Sequence, residues 1–193
     1  MKYDVIVLGA GPAGLSAAMF LHDKELSTLV IGDGRTMMKS AWVGNYLGIR
    51  QPFLGTDLLE TALKQVREDR GVPVRSETVT AIKYHDEDIE VITEQGVYSS
   101  SQLILANGQG PGFEIAELAE VELADNGEPF VKMKIKIDDR CRTSKKNVYA
   151  TGIAVGISSQ AIVAAGHGAQ TALNLISDRV GKRVHVHQSP KKD

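Results

Sequence analysis

The sequence predicts an α/β fold, with a central parallel sheet, helices packed on it, and a three-stranded antiparallel meander as a third layer. Three observations predict it. An apolar run ends in three spaced glycines and passes into an apolar helix, VIVLGAGPAGLSAAMF at residues 5–20. Three β-rich segments between residues 79 and 105 are separated by short turns. A short apolar run at residues 148–150 precedes a long amphipathic stretch. A strand–helix–strand unit closes through a right-handed crossover and so has parallel strands. Connections of a few residues join antiparallel ones.

Residues 3–8 read as a strand buried on both faces. Residues 12–24 read as a helix that is apolar nearly all round, with Ala13, Leu15, Ala17, Ala18, Met19, Phe20 and Leu21. Residues 28–31 form a second β-branched run. Residues 32–54 are loop-like, carrying Trp42, Tyr46, Pro52 and Phe53. Residues 55–70 are amphipathic. Leu58, Leu59, Ala62, Leu63 and Val66 share one face, Thr56 and Asp57 suit the first turn, and Gly71 and Pro73 end the helix. The meander takes residues 79–84, 89–93 and 97–105. Residues 107–147 are less regular, although Val131, Met133, Ile135 and Ile137 alternate with lysines as in a half-exposed strand over 131–137. Residues 148–150 read as the last strand. A helix is expected over 158–180, with Ile162, Ala165, Ala169, Ala172, Leu173 and Ile176 on its apolar stripe. The expected organisation is one domain over 1–180 and a polar tail over 181–193.

The 193 residues suit one domain and are too few for two full ones. With 42% hydrophobic and 24% charged residues and a net charge of −2, the composition is that of a globular protein and gives no nucleic-acid footprint. No apolar stretch approaches the roughly 20 residues of a membrane helix. The sequence starts almost directly on a strand, without a signal-peptide pattern, so the expected location is the cytoplasm. A single cysteine, Cys141, excludes a disulfide or dithiol within these residues.

Gly9, Gly11 and Gly14 form G-x-G-x-x-G between a strand and a helix, the fingerprint of a Rossmann-like dinucleotide fold. Gly9 serves the tight turn, Gly11 lets backbone approach a pyrophosphate, and Gly14 lets helix pack on strand. With Pro12 and Ala13 they open the helix whose free N–H groups and dipole favour an anion. An acidic residue for the adenosine ribose is expected after the second strand. That place falls on Gly32, Asp33 and Gly34, where Asp33 binds the ribose, the backbone does so, or Asp33 is a turn residue.

Which dinucleotide is bound turns on the far end of the chain. The stretch RTSKKNVYATGIAVGISSQAIVAAGHGAQTALNL, residues 142–175, resembles the C-terminal flavin motif of the two-dinucleotide-binding flavoproteins, most closely that of thioredoxin reductase. Thr143, Val148, Ala150 and Gly152 fit the first part of that motif. Ser159, Gln160 and Ala161 fit the second, with serine where the family has arginine. GNYLG, residues 44–48, resembles the loop beside the flavin ring and places Asn45 there. Glu77, Thr78 and Val79 match the segment that contacts adenine. LILANG, residues 103–108, resembles a run ending alanine-threonine-glycine, here Ala106, Asn107 and Gly108.

The resemblance implies FAD as cofactor, held by these residues, by the glycine loop and by Gly152, Ile153, Ala154, Gln160 and Ala161. Ile153 stands where the family has an aspartate that binds the ribityl chain, which leaves the role to backbone N–H groups near Ala154. One lost hydrogen bond costs about 1 kcal/mol, little against a diphosphate held by several donors.

The departures shape the functional expectation. About forty residues lie between Gly108 and the C-terminal motif, where thioredoxin reductase carries an NADPH domain, and there is neither a second glycine fingerprint nor a cysteine pair. The resemblance therefore implies the FAD half alone. Electrons would come from an external donor, whether NAD(P)H, a ferredoxin or another flavoprotein. Two classes of function follow: an FAD-dependent oxidoreductase, or a non-catalytic flavin-binding module serving as sensor or electron-transfer subunit. The related enzymes imply a homodimer. No catalytic side chain and no metal ligand set is predicted. Cys141 reads as a packed or solvent-side thiol, His167 as a surface histidine between glycines that allow close helix contact, and His185 and His187 as tail residues. Trp42 and Tyr46 fit equally a flavin stack or a loop packed on the core.

Overall fold

The computed structural model describes residues 2–50, 52–128 and 131–185. In chain order the strands and helices are β1 (Lys2–Leu8), α1 (Pro12–His22), β2 (Thr28–Ile31), β3 (Trp42–Val43), β4 (Phe53–Leu54) and α2 (Gly55–Arg67). There follow β5 (Val74–Arg75), β6 (Val79–Tyr84), β7 (Ile89–Thr93), β8 (Val97–Leu105), α3 (Glu114–Leu118), β9 (Leu123–Asp125), β10 (Met133–Ile135), β11 (Val148–Ala150) and α4 (Ala161–Val180).

Seven of these strands form one sheet in the order β5-β2-β1-β8-β7-β6, with β11 also paired to β8. β5, β2, β1, β8 and β11 are parallel, and β6 and β7 are antiparallel. β8 is shared. Its first residues pair with β7 (Ile92↔Val97, Ile89↔Ser100), and its last pair with β11 (Leu103↔Val148, Leu105↔Ala150). The meander therefore splays away from the parallel sheet and leaves the end of β8 free to take β11.

β1 shows why its sequence does not alternate. Successive side chains point to opposite faces, and both faces are covered. Val5 and Val7 join the core under α1, α2 and α4, while Ile6 and Leu8 join the core under the meander and α3. All four are fully buried, so every position had to be apolar. The predicted three layers are thus present: helices, parallel sheet, and meander with α3.

Several sequence expectations are corrected. The helix expected from residue 158 begins at Ala161, because Gly156, with φ +84°, closes a short helical turn over Gly152–Val155 and Gln160 is extended. The strand expected over 131–137 is only β10, paired with β9 apart from the main sheet. Of its alternating apolar side chains Ile135 is buried, whereas Met133 is 41% exposed. The apolar stripe of α4 is rotated by about one residue from the expected one: Ala161, Ala164, Gly168, Thr171, Ala172, Leu175 and Ile176 are buried. α4 packs on α1, and small side chains decide that contact more than apolar ones. The polar tail begins after Gly181, yet Val184 N–H donates to Ser177 Oγ at 3.0 Å, returning the chain to α4. His187 lies outside the described residues.

α4 is tied to the sheet at its other end by Asp178. Its carboxylate accepts from Arg140 Nε (2.8 Å), from Arg142 Nε and Nη2 (both 2.7 Å) and from the Tyr149 hydroxyl (2.8 Å). Arg142 foremost, with Tyr149 and Arg140, holds this carboxyl well below the usual carboxylate range against the opposing effect of burial. Burial first, and then Asp178, pushes the Tyr149 phenol up to about 12. A depressed carboxyl contributes stability above its unfolded pKa and loses it as the pH falls below. Asp178→Asn is expected to cost about 1–2 kcal/mol, allowing for the exposure of the arginines. The deficit, read by urea unfolding, should be constant at neutral pH and shrink as the pH falls below 3.8.

Candidate functional site

In an open parallel sheet, the loops at the carboxyl ends of the strands converge on a crevice. Here the crevice is a cleft of about 1210 Å³, counting its open side. That is ample for a dinucleotide and more than a small metabolite needs. It follows the strand order: Glu77, Thr78 and Val79 after β5, Gly32, Asp33 and Gly34 after β2, Gly9 to Ala13 after β1, Ala106 to Gly108 after β8, and Gly152 and Ile153 after β11.

The three fingerprint glycines have separate physical roles. Gly9 adopts φ +121°, and a Cβ on it would lie 2.1 Å from the Ala106 carbonyl oxygen. A Cβ on Gly14 would lie 1.9 Å from the Gly9 carbonyl oxygen, so this glycine sits behind the cleft and seats α1 on β1. Gly11 is different. It has an ordinary extended backbone, and the nearest atom to its absent Cβ is Thr36 Oγ1 at 3.9 Å, so the space there belongs to the cleft. No side chain caps α1, whose second residue position is Ala13 and whose first is Pro12. The N–H groups of its first turn and the positive end of its dipole are left for an anion. α4 also starts at the cleft, at Ala161, likewise without a side-chain cap.

Most predicted site residues therefore converge on one cleft. Gly14, Asn45, Ala154 and Gln160 do not line it. Ala154 is fully buried behind the short turn that follows β11. Asn45 Nδ2 donates to Gln160 Oε1 at 2.7 Å, tying the loop after β3 to the start of α4 beside the cleft. Trp42 is 67% exposed, and Tyr46 meets Phe53 edge-on, with ring centroids 6.4 Å apart. Neither ring lines the cleft.

The sequence reading missed several lining residues. Arg35 is one: its backbone N–H donates to Asp33 Oδ1 at 2.8 Å and its Nε to Oδ2 at 2.5 Å, so Asp33 is a turn-former with both oxygens engaged. Asp-x-Arg after a glycine was a readable sign of such a turn. Glu114, Ile115 and Leu118 of α3 cover the cleft from the meander side. This five-residue helix was too short for its periodicity to register.

Glu77 is the other. It is 6% exposed and its carboxylate accepts from the Thr93 hydroxyl (2.7 Å) and from the Tyr98 hydroxyl (2.8 and 3.0 Å). Burial, and then this carboxylate, pushes the Tyr98 phenol up, which keeps it a donor. Tyr98→Phe removes a donor from a buried charge and is expected to cost about 1–3 kcal/mol in denaturant unfolding, where an exposed Tyr→Phe change would cost almost nothing.

His167 corrects another expectation. It is half-buried and faces the sheet. Gly152 N–H donates to its Nδ1 at 3.4 Å, and Thr151 Oγ1 lies 2.8 Å from the same nitrogen. Its Nε2 lies 3.9 Å from Cys141 Sγ, which also accepts from Asn174 Nδ2 at 3.8 Å. Burial lowers the pKa of His167 and raises that of Cys141. Cys141 is 4% exposed, a packed thiol. Of the flanking glycines, only Gly168 makes the expected close contact: a Cβ on it would lie 2.0 Å from the Ala13 carbonyl oxygen, whereas one on Gly166 would meet nothing within 4 Å. Among the described residues no cluster of His, Cys, Asp and Glu is arranged to hold a metal ion, and no helix is long and apolar enough to cross a membrane.

Fold and cleft together define a Rossmann-like α/β protein of the FAD-binding type, related to thioredoxin reductase. The family of pyridine nucleotide-disulphide oxidoreductases matches residues 3–47 and 49–168, and the chain belongs to it. Thioredoxin reductase of Treponema pallidum is 36% identical over 110 residues, 55% of this chain and 35% of that protein. The chain spans about a third or less of the length of the curated relatives first matched. Among solved structures, a thioredoxin reductase from Gloeobacter violaceus superposes with a TM-score of 0.76 at 16% identity, covering 97% of this chain and 98% of that one. A ferredoxin-flavin thioredoxin reductase from Clostridium acetobutylicum gives 0.73 at 18% identity, covering 94% and 99%. At these identities the superpositions speak for the fold.

Proposed function

We propose that residues 1–180 form a single FAD-binding domain and that the protein is a flavin-dependent oxidoreductase taking electrons from an external donor. The observation that carries the reading is a single cleft at which two uncapped helix N-termini, of α1 and α4, both open. A dinucleotide with a diphosphate near its middle and an electron-accepting ring at one end fits that arrangement. The empty space at Gly11 is the second support, because a Cβ there would fill a cradle that nothing else in the chain occupies.

In this reading Gly11, Ala13 and the first turn of α1 hold the diphosphate. Glu77, Thr78 and Val79, with Gly32 to Gly34, bound the adenosine end. Ala106 to Gly108, Gly152, Ile153 and Ala161 bound the flavin end. Bound there, the flavin would supply reversible acceptance of two electrons. The chain's own part is to orient the ring, to exclude water with Ile153 and Ile115, and to place the positive end of the α4 dipole near it.

These 193 residues contain one cysteine, and Cys141 is buried away from the cleft. Dithiol transfer within the chain is therefore not part of the proposal. The protein is further proposed to work as a cytoplasmic homodimer. Donors to assay are NADH, NADPH, a flavoprotein reductase, and ferredoxin, which one structural neighbour carries in its name.

The test is direct. Purified protein, or apoprotein incubated with excess FAD, is expected to be yellow, to release FAD on heating, and to bleach and recover on dithionite reduction and air oxidation. One donor should bleach it faster than free FAD. No thioredoxin reduction by NADPH is expected. A colourless preparation that takes up no FAD would overturn the proposal.

A further inference from the structure

The residue that stands out beside the cleft without a part in the preceding reading is His167. It lies on α4, behind the wall that Gly152 and Ile153 present to the cleft. Gly152 N–H donates to its Nδ1, so that nitrogen carries no proton. The Thr151 hydroxyl, 2.8 Å away, donates to the same nitrogen. The ring proton is therefore on Nε2, directed at Cys141 Sγ 3.9 Å away. Thr151 is fully buried, and Gly152 is held at φ +72° with Ala13 so close that a Cβ would lie 2.9 Å from the Ala13 Cβ. One imidazole thus fixes the backbone where β11 enters the cleft.

We infer that His167 is a positioning residue for the cofactor cleft: as a neutral acceptor it anchors Thr151 and Gly152, and its protonation releases this wall and with it the bound dinucleotide. The inference rests on the FAD reading above for the identity of the ligand, and on the hydrogen bonds alone for the strut.

The chemistry has a fixed sign. Protonation puts a hydrogen on Nδ1, which then faces the Gly152 N–H donor head-on, and the acceptor is lost. Burial disfavours the imidazolium, and no anion offsets it. Cys141 is the titratable group that meets the ring, and its thiol is kept neutral by burial; Asp138 and Arg140 act on that thiol from the same turn with opposite signs. α1, packed alongside, has only His22 as a titratable side chain, in its last turn at the far end. The 151–155 segment contributes none. Because the folded pKa lies below 6.5, the unfolded chain binds the extra proton first, so stability is lost as the pH falls below 6.5.

The experiment compares the unaltered protein with His167→Asn and His167→Phe. Asparagine can offer an acceptor near the Nδ1 position and does not titrate; phenylalanine offers none. FAD affinity of the apoprotein is measured by flavin fluorescence at pH 7.5 and pH 5.5, together with the melting temperature of each apoprotein. Losing one hydrogen bond for a donor clash corresponds to a loss of about tenfold or more. The unaltered protein should therefore weaken about tenfold at the lower pH, the Asn variant should hold near-normal affinity at both, and the Phe variant should be weak at both. The melting temperature of the unaltered apoprotein should drop between the two pH values by more than that of the Asn variant. FAD affinity that is independent of pH, or an Asn variant as pH-sensitive as the unaltered protein, overturns the inference and leaves the FAD reading standing. An apoprotein that shows the melting difference but binds no FAD supports the strut and overturns the FAD reading instead. If the Phe variant does not fold, the Asn comparison decides alone.

Discussion

Gly11→Glu is expected to abolish FAD uptake while leaving the melting temperature within a few degrees of the unaltered protein's. The two halves of this expectation come from one geometric fact. Gly11 has φ −89° and ψ −176°, a conformation open to any residue, and the nearest atom to its absent Cβ is 3.9 Å away. Nothing in the fold needs glycine there. A glutamate side chain would enter the cleft at the start of α1 and put a carboxylate where the helix dipole and free N–H groups favour an anion. It would compete for the diphosphate site by volume and by charge. A loss of at least a hundredfold, about 2.7 kcal/mol, is a conservative figure for losing this anion site. Gly11→Ala should weaken binding less, since a methyl adds bulk without charge. Equilibrium dialysis with FAD, paired with a melting curve, checks both halves. A Gly11→Glu protein that binds FAD normally would show that the diphosphate lies elsewhere.

The second large effect lies on α4. Gly168→Val is expected to destabilise the protein by about 3 kcal/mol or more, lowering the melting temperature by about 6–12 °C for a chain of this size. A Cβ at this position would lie 2.0 Å from the Ala13 carbonyl oxygen and 2.7 Å from its carbon. Those are backbone atoms of α1 and cannot rotate aside. The two helices would have to separate, and the shift would reach the cleft, because Ala13 lines it. FAD binding should fall with stability. Gly166 supplies the control two residues away. Nothing lies within 4 Å of its absent Cβ, so Gly166→Ala should stabilise by about 0.5–1 kcal/mol through helix propensity. Opposite signs at Gly166 and Gly168 in chemical denaturation would confirm that helix proximity, and not glycine itself, is what position 168 requires. Equal effects would refute it.

Much of the fold was legible because its signals are local. The run at residues 5–8 is apolar without alternation, which is what a strand covered on both faces requires, and Val5 and Ile6 do face different cores. Turns of a few residues between 84 and 97 could only join antiparallel strands, and β6, β7 and β8 are antiparallel. The glycine loop combined a turn, a close approach and a helix start within six residues.

The errors arose where neighbours decide. The α4 stripe was read by hydrophobicity and came out about one residue rotated, since contact with Ala13 selects for smallness at 161, 164 and 168. Asp33 was a candidate for the ribose, but Arg35 takes both its oxygens. Glu77 was noted only as part of a segment. Its role as a buried carboxylate depends on Thr93 and Tyr98, 16 and 21 residues further along. His167 looked like a surface residue between two glycines, and it became a half-buried anchor because β11 ends directly beneath it.

By itself, then, the sequence determined the layer order, the parallel and antiparallel strand directions, and the glycine loop on which α1 opens. These follow from the chain's own periodicity, turn lengths and steric allowances over a few residues. Tertiary structure alone decided which face of α4 is buried, which carboxylates are free or held, and that His167 braces the far wall of the cleft. Those outcomes depend on contacts between segments distant in sequence, where a single backbone carbonyl at Ala13 or a single N–H at Gly152 sets what the neighbouring side chain can be.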